Sequence, residues 1–173
     1  AWVVATRCVF KNNTAGATGT GAGGAHGPSG GFNPGSFTAE NCLFVGNAGD
    51  YTIRLAGNQT GAIILRHCTM ADNVGGGVLS SHGLIVSNSI IANNGHTGIR
   101  TTVASPGINY NVVYGHATNY SGTAAAGPND LSVDPGFVGE GDYRLAKTSP
   151  AIDAAANLGA TNDLDGVPRP TRS

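Results

Sequence analysis

Ionisable side chains are scarce in this sequence, so those that recur in a fixed arrangement carry most of its chemical content. Asp50 and His96 are each followed four residues later by an arginine, Arg54 and Arg100, and Tyr51 stands beside the first. A carboxylate and an imidazole can accept from and donate to the hydroxyls of a sugar. Two guanidinium groups on one face would hold the carboxylates of an acidic sugar, because the planar fork of arginine meets a carboxylate at two points. Asp50, Tyr51, Arg54, His96 and Arg100 therefore predict a shallow polar strip that binds a sugar, an anionic one in particular. The competing reading is that arginines on an exposed strand merely keep the surface wet.

Catalysis asks for more. An enzyme acting on a polysaccharide needs two converging acidic groups, or an acid and a base. Seven of the ten acidic residues fall between Asp130 and Asp165, leaving Glu40, Asp50 and Asp72 for the rest of the chain. The stretch DLDG, Asp163–Gly166, resembles part of a calcium loop, but Thr161 replaces the first ligand and no Glu closes it. No metal site and no cofactor is implied. The Asn-x-Thr/Ser sites at Asn12, Asn58 and Asn119 matter only in a glycosylating host.

The elements that must position the strip are written as a repeat. RCVFKNN (Arg7–Asn13), NCLFVGN (Asn41–Asn47), HCTMADN (His67–Asn73) and NSIIANN (Asn88–Asn94) share one pattern. With Cys8, Cys42, Cys68, Ser89 and Asn111 as position 0, the intervals are 34, 26, 21 and 22 residues. That fits a coil of about 22 residues with insertions early in the chain. Position +2 is Phe10, Phe44, Met70, Ile91 and Val113; position −3 is Ala5, Ala39, Leu65, Val86 and Ile108; position −5 begins Val3, Phe37, Ile63 and Leu84. Side chains alternate along a strand, so −5 and −3 share one face, and 0 and +2 another. The change of parity requires a bend at −2/−1. Asn13, Asn47, Asn73 and Asn94 at +5 predict a second bend, and His116 breaks that series.

A third short strand follows near +10, at Ile53, Val78 and Ile99. The next residues, Gly19, Arg54, Leu79, Arg100 and Gly122, form an outward column, and Asp50 and His96 share an earlier one. Two coils apart, the bases of Arg54 and Arg100 lie roughly 10 Å from each other. Three short strands per coil and no helical period predict an all-β fold, a single-stranded parallel β-helix of about five to six coils, in which identical residues stack as ladders.

Composition narrows the partners. Charged residues are 11% of the chain and the net charge is −1, which leaves no field to draw in nucleic acid or an anionic membrane surface. No apolar run approaches the roughly 18 residues that span a bilayer. Leucine is too sparse for a leucine-rich repeat, the glycine-rich calcium-binding nonapeptide is absent, and no outward threonine array suggests an ice-binding face. The opening AWVVATRC already lies within a strand pattern, which reads as a piece of something longer or a chain that has lost its leader.

The last forty residues change character. DPGFVGEGDYRLAKTSPAID (Asp134–Asp153) followed by DLDGVPRP (Asp163–Pro170) resembles the C-terminal end of secreted bacterial β-helix proteins of the pectate-lyase-like superfamily. The matching residues are Asp134, Pro135, Phe137, Gly141–Leu145, Ser149–Asp153, Asp163, Asp165, Gly166 and Arg169. The resemblance implies a right-handed coil, a terminal cap and an extracytoplasmic, bacterial life. It does not fix function, because such folds host lyases, hydrolases, adhesins and inert spacers. Hydrolases of that superfamily carry a short GHG motif; this chain has AHG at His26 and SHG at His82, each read as a histidine before a turn glycine. The expected function is a non-catalytic carbohydrate-binding or surface-scaffold module, with polysaccharide as its partner. The alternative is a lyase or glycoside hydrolase, or part of one, acting on acidic polysaccharide.

Three structural expectations complete the reading. Residues 1–173 form one domain, with coils in 1–133 and a terminal coil and cap in 134–173, where Tyr143, Leu145 and Ile152 cover the last coil. Cys8, Cys42 and Cys68 stack as reduced, buried thiols. The first coil, with Trp2, Val3 and Ala5, lacks a cover and invites self-association, unless the insertion Ala15–Gly31 folds back over it.

Overall fold

The computed structural model describes residues 2–15, the backbone of 22–26, and residues 35–57 and 61–169. Asn58 and most of the 15–31 insertion lie outside them. The first coil is β1 (Trp2–Thr6), β2 (Val9–Lys11) and β3 (Ala22–His26); the second is β4 (Ser36–Glu40), β5 (Leu43–Val45) and β6 (Tyr51–Leu55). The third is β7 (Ala62–Arg66), β8 (Thr69–Ala71) and β9 (Gly76–Ser80); the fourth is β10 (Gly83–Ser87), β11 (Ile90–Ala92) and β12 (Thr97–Thr101). The fifth is β13 (Gly107–Asn109), β14 (Val112–Tyr114) and β15 (Thr118–Gly122). Corresponding strands pair in parallel into three five-stranded sheets, β1-β4-β7-β10-β13, β2-β5-β8-β11-β14 and β3-β6-β9-β12-β15, here sheets one, two and three. The protein is a parallel β-solenoid, about four turns from its first rung to its fifth, slightly short of the five to six coils expected.

The register holds the sequence columns in line: Ala5 faces Ala39 and Ala39 faces Leu65, while Phe10 faces Phe44 and Phe44 faces Met70. Inside the coil, Phe10 and Phe44 stack with ring centroids 4.7 Å apart, and Phe37 meets Phe44 edge-on at 6.4 Å. Met70, Ile91 and Val113 continue that column fully buried, against Ile53, Val78 and Ile99 of sheet three.

The first corner falls where parity required it. Arg7, Asn41, His67, Asn88 and Tyr110, all at −1, adopt left-handed backbone with φ between 51° and 60°. Such a residue costs roughly 1–2 kcal/mol when it is not glycine, but one of them reverses the facing of every side chain that follows. The second corner corrects the expectation. The left-handed residues are those at +4, Asn12, Gly46, Asp72, Asn93 and Gly115, one place before the asparagines. Turning early swings the +5 side chain inward, where Asn47, Asn73 and Asn94 are buried. Each Oδ1 there accepts the backbone N–H and the Nδ2–H of the asparagine one coil earlier: Asn13 to Asn47 at 3.0 and 2.9 Å, Asn47 to Asn73 at 2.9 and 2.9 Å, Asn73 to Asn94 at 3.1 and 2.7 Å. Buried backbone donors at a turn thereby find acceptors. His116 does not end this ladder; its Nε2 lies 3.1 Å from Asn94 Nδ2.

The terminal cover also differs from expectation. Position 0 continues one coil further than the sequence suggests, to Asp130, whose Oδ1 accepts from Asn111 N at 2.8 Å and Asn111 Nδ2 at 3.1 Å. Its Oδ2 accepts from Tyr120 Oη at 2.8 Å and Gly127 N at 3.0 Å, and Leu131 bridges to β14. The segment just after β15, with Ala124 against the core, closes the stack. Tyr143 reaches the third coil instead, and Ile152 is exposed.

The tail instead straps the side. From the hairpin β16 (Phe137–Gly139) and β17 (Asp142–Leu145), Tyr143 Oη donates to Asp72 on the third coil, 2.8 Å away. Ala156 exchanges two hydrogen bonds with the Asn88 side chain on the fourth, Arg169 donates to Asn41 Oδ1 on the second at 2.9 Å, and Gly166 lies against the Arg7 guanidinium on the first. These ties flank sheet two, whose outward residues Val45, Ala71 and Ala92 are accordingly buried.

All three cysteines are free thiols. Cys42 and Cys68 are buried as expected, but Cys8 is only partly so, because no rung lies beneath the first coil among the described residues.

Candidate functional site: a groove at the second corner

Asp50 and His96 immediately precede β6 and β12, so both sit at the corner that leads from sheet two into sheet three. Between them, on the third coil, the sequence has Gly75 and Gly76. A Cβ on Gly75 would come within 1.9 Å of Gly49 O, and one on Gly76 within 2.6 Å of the Tyr51 ring. The missing side chains let three coils close tightly here and let groups two coils apart touch. His96 Nε2 lies 2.9 Å from Asp50 O and 3.6 Å from Asp50 Oδ1. The Tyr51 ring packs edge-on beside the imidazole, centroids 4.9 Å apart at 87°.

A groove of about 400 Å³ opens at this corner. Ala48, Gly49 and Gly75 line it together with Thr14 and Ala15 of the first coil, Val74, Asp50 and His96. The side chains of His96 and Asp50 remain 49% and 37% exposed, so both can meet a ligand. With its Nε2–H directed at the Asp50 carbonyl, the neutral imidazole keeps Nδ1 as an acceptor, while the carboxylate is acceptor only. The pair is suited to hydroxyl-rich ligands.

Tyr51 takes a different place from the one the strip gave it: at 3% exposure it supports the imidazole from below and offers a ligand nothing. Arg54 and Arg100 stand on the outward face of sheet three, both in register with Leu79, which separates them by one rung. Arg54 is half-buried and Arg100 exposed. The rest of that column is His26 and Ser121, where the sequence alignment placed Gly19, which lies outside the described residues, and Gly122. The structure thus brings Asp50, Tyr51 and His96 into one cluster and sets the two arginines a few residues along the same coils.

The other sequence candidates have local partners. His82 Nε2 meets Gly57 O of the preceding coil at 2.9 Å. Asp163 Oδ1 accepts from Val167 N at 2.8 Å, and no group of three or more metal-ligating side chains occurs among the described residues. Thr14, Ala15 and Val74 were not singled out by sequence; the run Gly75–Gly77 was the available signal. Among the described residues, no helix is long and apolar enough to cross a membrane. Compared with protein-family profiles, curated proteins and solved structures, the chain matches none.

Proposed function

We propose that this chain is a non-catalytic carbohydrate-binding module, extracytoplasmic and bacterial, of the pectate-lyase-like kind, and that it holds an acidic polysaccharide in the groove with Arg54 and Arg100 extending the contact. One observation carries the reading: an exposed carboxylate and an exposed imidazole are fixed to each other across two coils over a groove. Rungs of a solenoid are rigid supports, so little ordering accompanies binding. A single carboxylate lines the groove, which supports binding over hydrolysis, since the latter takes a pair. The tail motif supports the relationship: Asp134 closes its turn on Gly136 N, Ser149 clamps Pro135 O, and Tyr143 and Arg169 tie the tail to the coils.

A glycan array, then calorimetry with uronate and neutral oligosaccharides and parallel lyase and hydrolase assays, tests this. Binding of uronate polymers without product is expected. Arg100→Ala should weaken it by about tenfold or more, the loss of a charge-assisted hydrogen bond worth about 1.5–3 kcal/mol. Failure to bind any glycan overturns the binding reading and leaves a surface scaffold. Product release favours the enzyme.

A further inference from the structure

The amide ladder runs one way, and its last donor rests on a titratable ring. From Asn13 to Asn94 every Nδ2 faces the side chain one coil forward, and from Asn47 on it also donates to a carbonyl one coil back. Asn94 cannot be turned around, because its Oδ1 already accepts from Asn73 N at 3.1 Å and Asn73 Nδ2 at 2.7 Å. Its Nδ2 donates to Met70 O and faces His116 Nε2, both at 3.1 Å. That ring nitrogen must therefore be the bare acceptor, and Nδ1 carries the proton toward Asn119 Oδ1, 3.1 Å away. Gly98 makes room for the ring, since a Cβ there would sit 3.0 Å from Nδ1. An asparagine at 116 would satisfy Asn94 equally well, but it would not titrate.

We propose that His116 is a proton-operated latch on the fifth coil. Protonation of Nε2 sets donor against donor at the end of the ladder, and β14, β15 and the closing segment loosen while the earlier rungs stay bonded. The groups packed on the ring, Asn94, Asn119 and Gly98, carry no charge; of the ionisable groups nearby, His96 stands one coil earlier, where its carbonyl accepts from Thr118 N, and Tyr120 and Asp130 are bonded to each other. Burial holds the imidazole below its ordinary range, with Asn119 opposing. A histidine depressed in the folded state contributes fully above its unfolded value of about 6.5 and loses that contribution as pH falls toward the lowered one. The latch is closed at neutral pH and opens on mild acidification.

Nuclear magnetic resonance of the whole chain should find the His116 ring as the Nδ1–H tautomer, titrating below the ordinary histidine value. An Nε2–H ring, or titration at or above that value, overturns the proposal whatever the variants do. His116→Asn should remove much of the fall in melting midpoint between about pH 8 and pH 5, the range in which histidine changes charge. His67→Gln is the control, because His67 is also depressed, by burial and by Arg169 and Arg66 against Glu40, yet lies beside the tail on the second and third coils. Equal falls in the wild type and H116N, with H67Q alone flattening the profile, would assign the acid response to the tail and sink the latch.

Discussion

The first and the last coil fill the same columns and end in opposite states. In the first, Trp2 is 86% exposed, Val4 and Val9 lie open, Cys8 is half-covered and Asn13 faces solvent. In the last, Asn111 and Val113 are almost wholly buried, because Asp130 and Leu131 close over them. Burial in a solenoid thus belongs to the place in the stack and not to the residue pattern. The two ends also leave different groups over. Forward-pointing ladders strand acceptors at the start and donors at the finish, and a lone acceptor is the easier one to leave to water. The finish accordingly receives a carboxylate and an imidazole.

The comparison is broken most severely at Asp130. Asp130→Ala removes the acceptor of four donors, Asn111 N, Asn111 Nδ2, Tyr120 Oη and Gly127 N. At about 1–3 kcal/mol for each buried donor left unpaired, and with some of them finding water, a loss of at least about 3 kcal/mol is expected in denaturant titrations. A loss below about 1 kcal/mol would mean that the last coil is not held from above. Next comes the ladder itself. Asn73→Ala should cost roughly 1–3 kcal/mol and Asn13→Ala well under 1, since only the former strands buried backbone. Matching costs would show that position in the stack does not decide. The smallest effect is chemical. In the native protein an alkylating reagent should modify Cys8 ahead of Cys42 and Cys68, with all three reacting once unfolded. Cys68 is held protonated by its neighbour Cys42 and by burial, which slows it further. Fast reaction of Cys68 in the folded state would contradict the burial gradient.

The coil was legible because each column is sampled several times, so Cys8, Cys42 and Cys68, or Phe10, Phe44 and Met70, reinforce one another. The corners were half legible. Parity demanded a bend at −2/−1 but not its left-handed form, and Arg7, His67 and Tyr110 do not announce that form by type. At +4, two glycines, two asparagines and an aspartate share a conformation, and the more conspicuous asparagines at +5 drew the assignment one residue too far. The strap was invisible to pattern. Its ties join residues 128, 71 and 68 positions apart and each occurs once. For the site, the shared column of Asp50 and His96 could be read off, but the burial of Tyr51 depends on Gly76 having no side chain, a fact of the neighbouring coil.

The strap changes what kind of object the solenoid is. A bare stack of coils touches only its neighbours and can unravel piecemeal from an end, each coil at its own modest cost. Here a single segment is fastened to the fourth coil at Asn88, the third at Asp72 and the second at Asn41. Peeling away the second coil must therefore tug on attachments that also serve the third and fourth, and tension applied along the axis is shared by those three. The tail acts as a tendon: it turns a deck of weakly coupled layers into a body that yields as a whole.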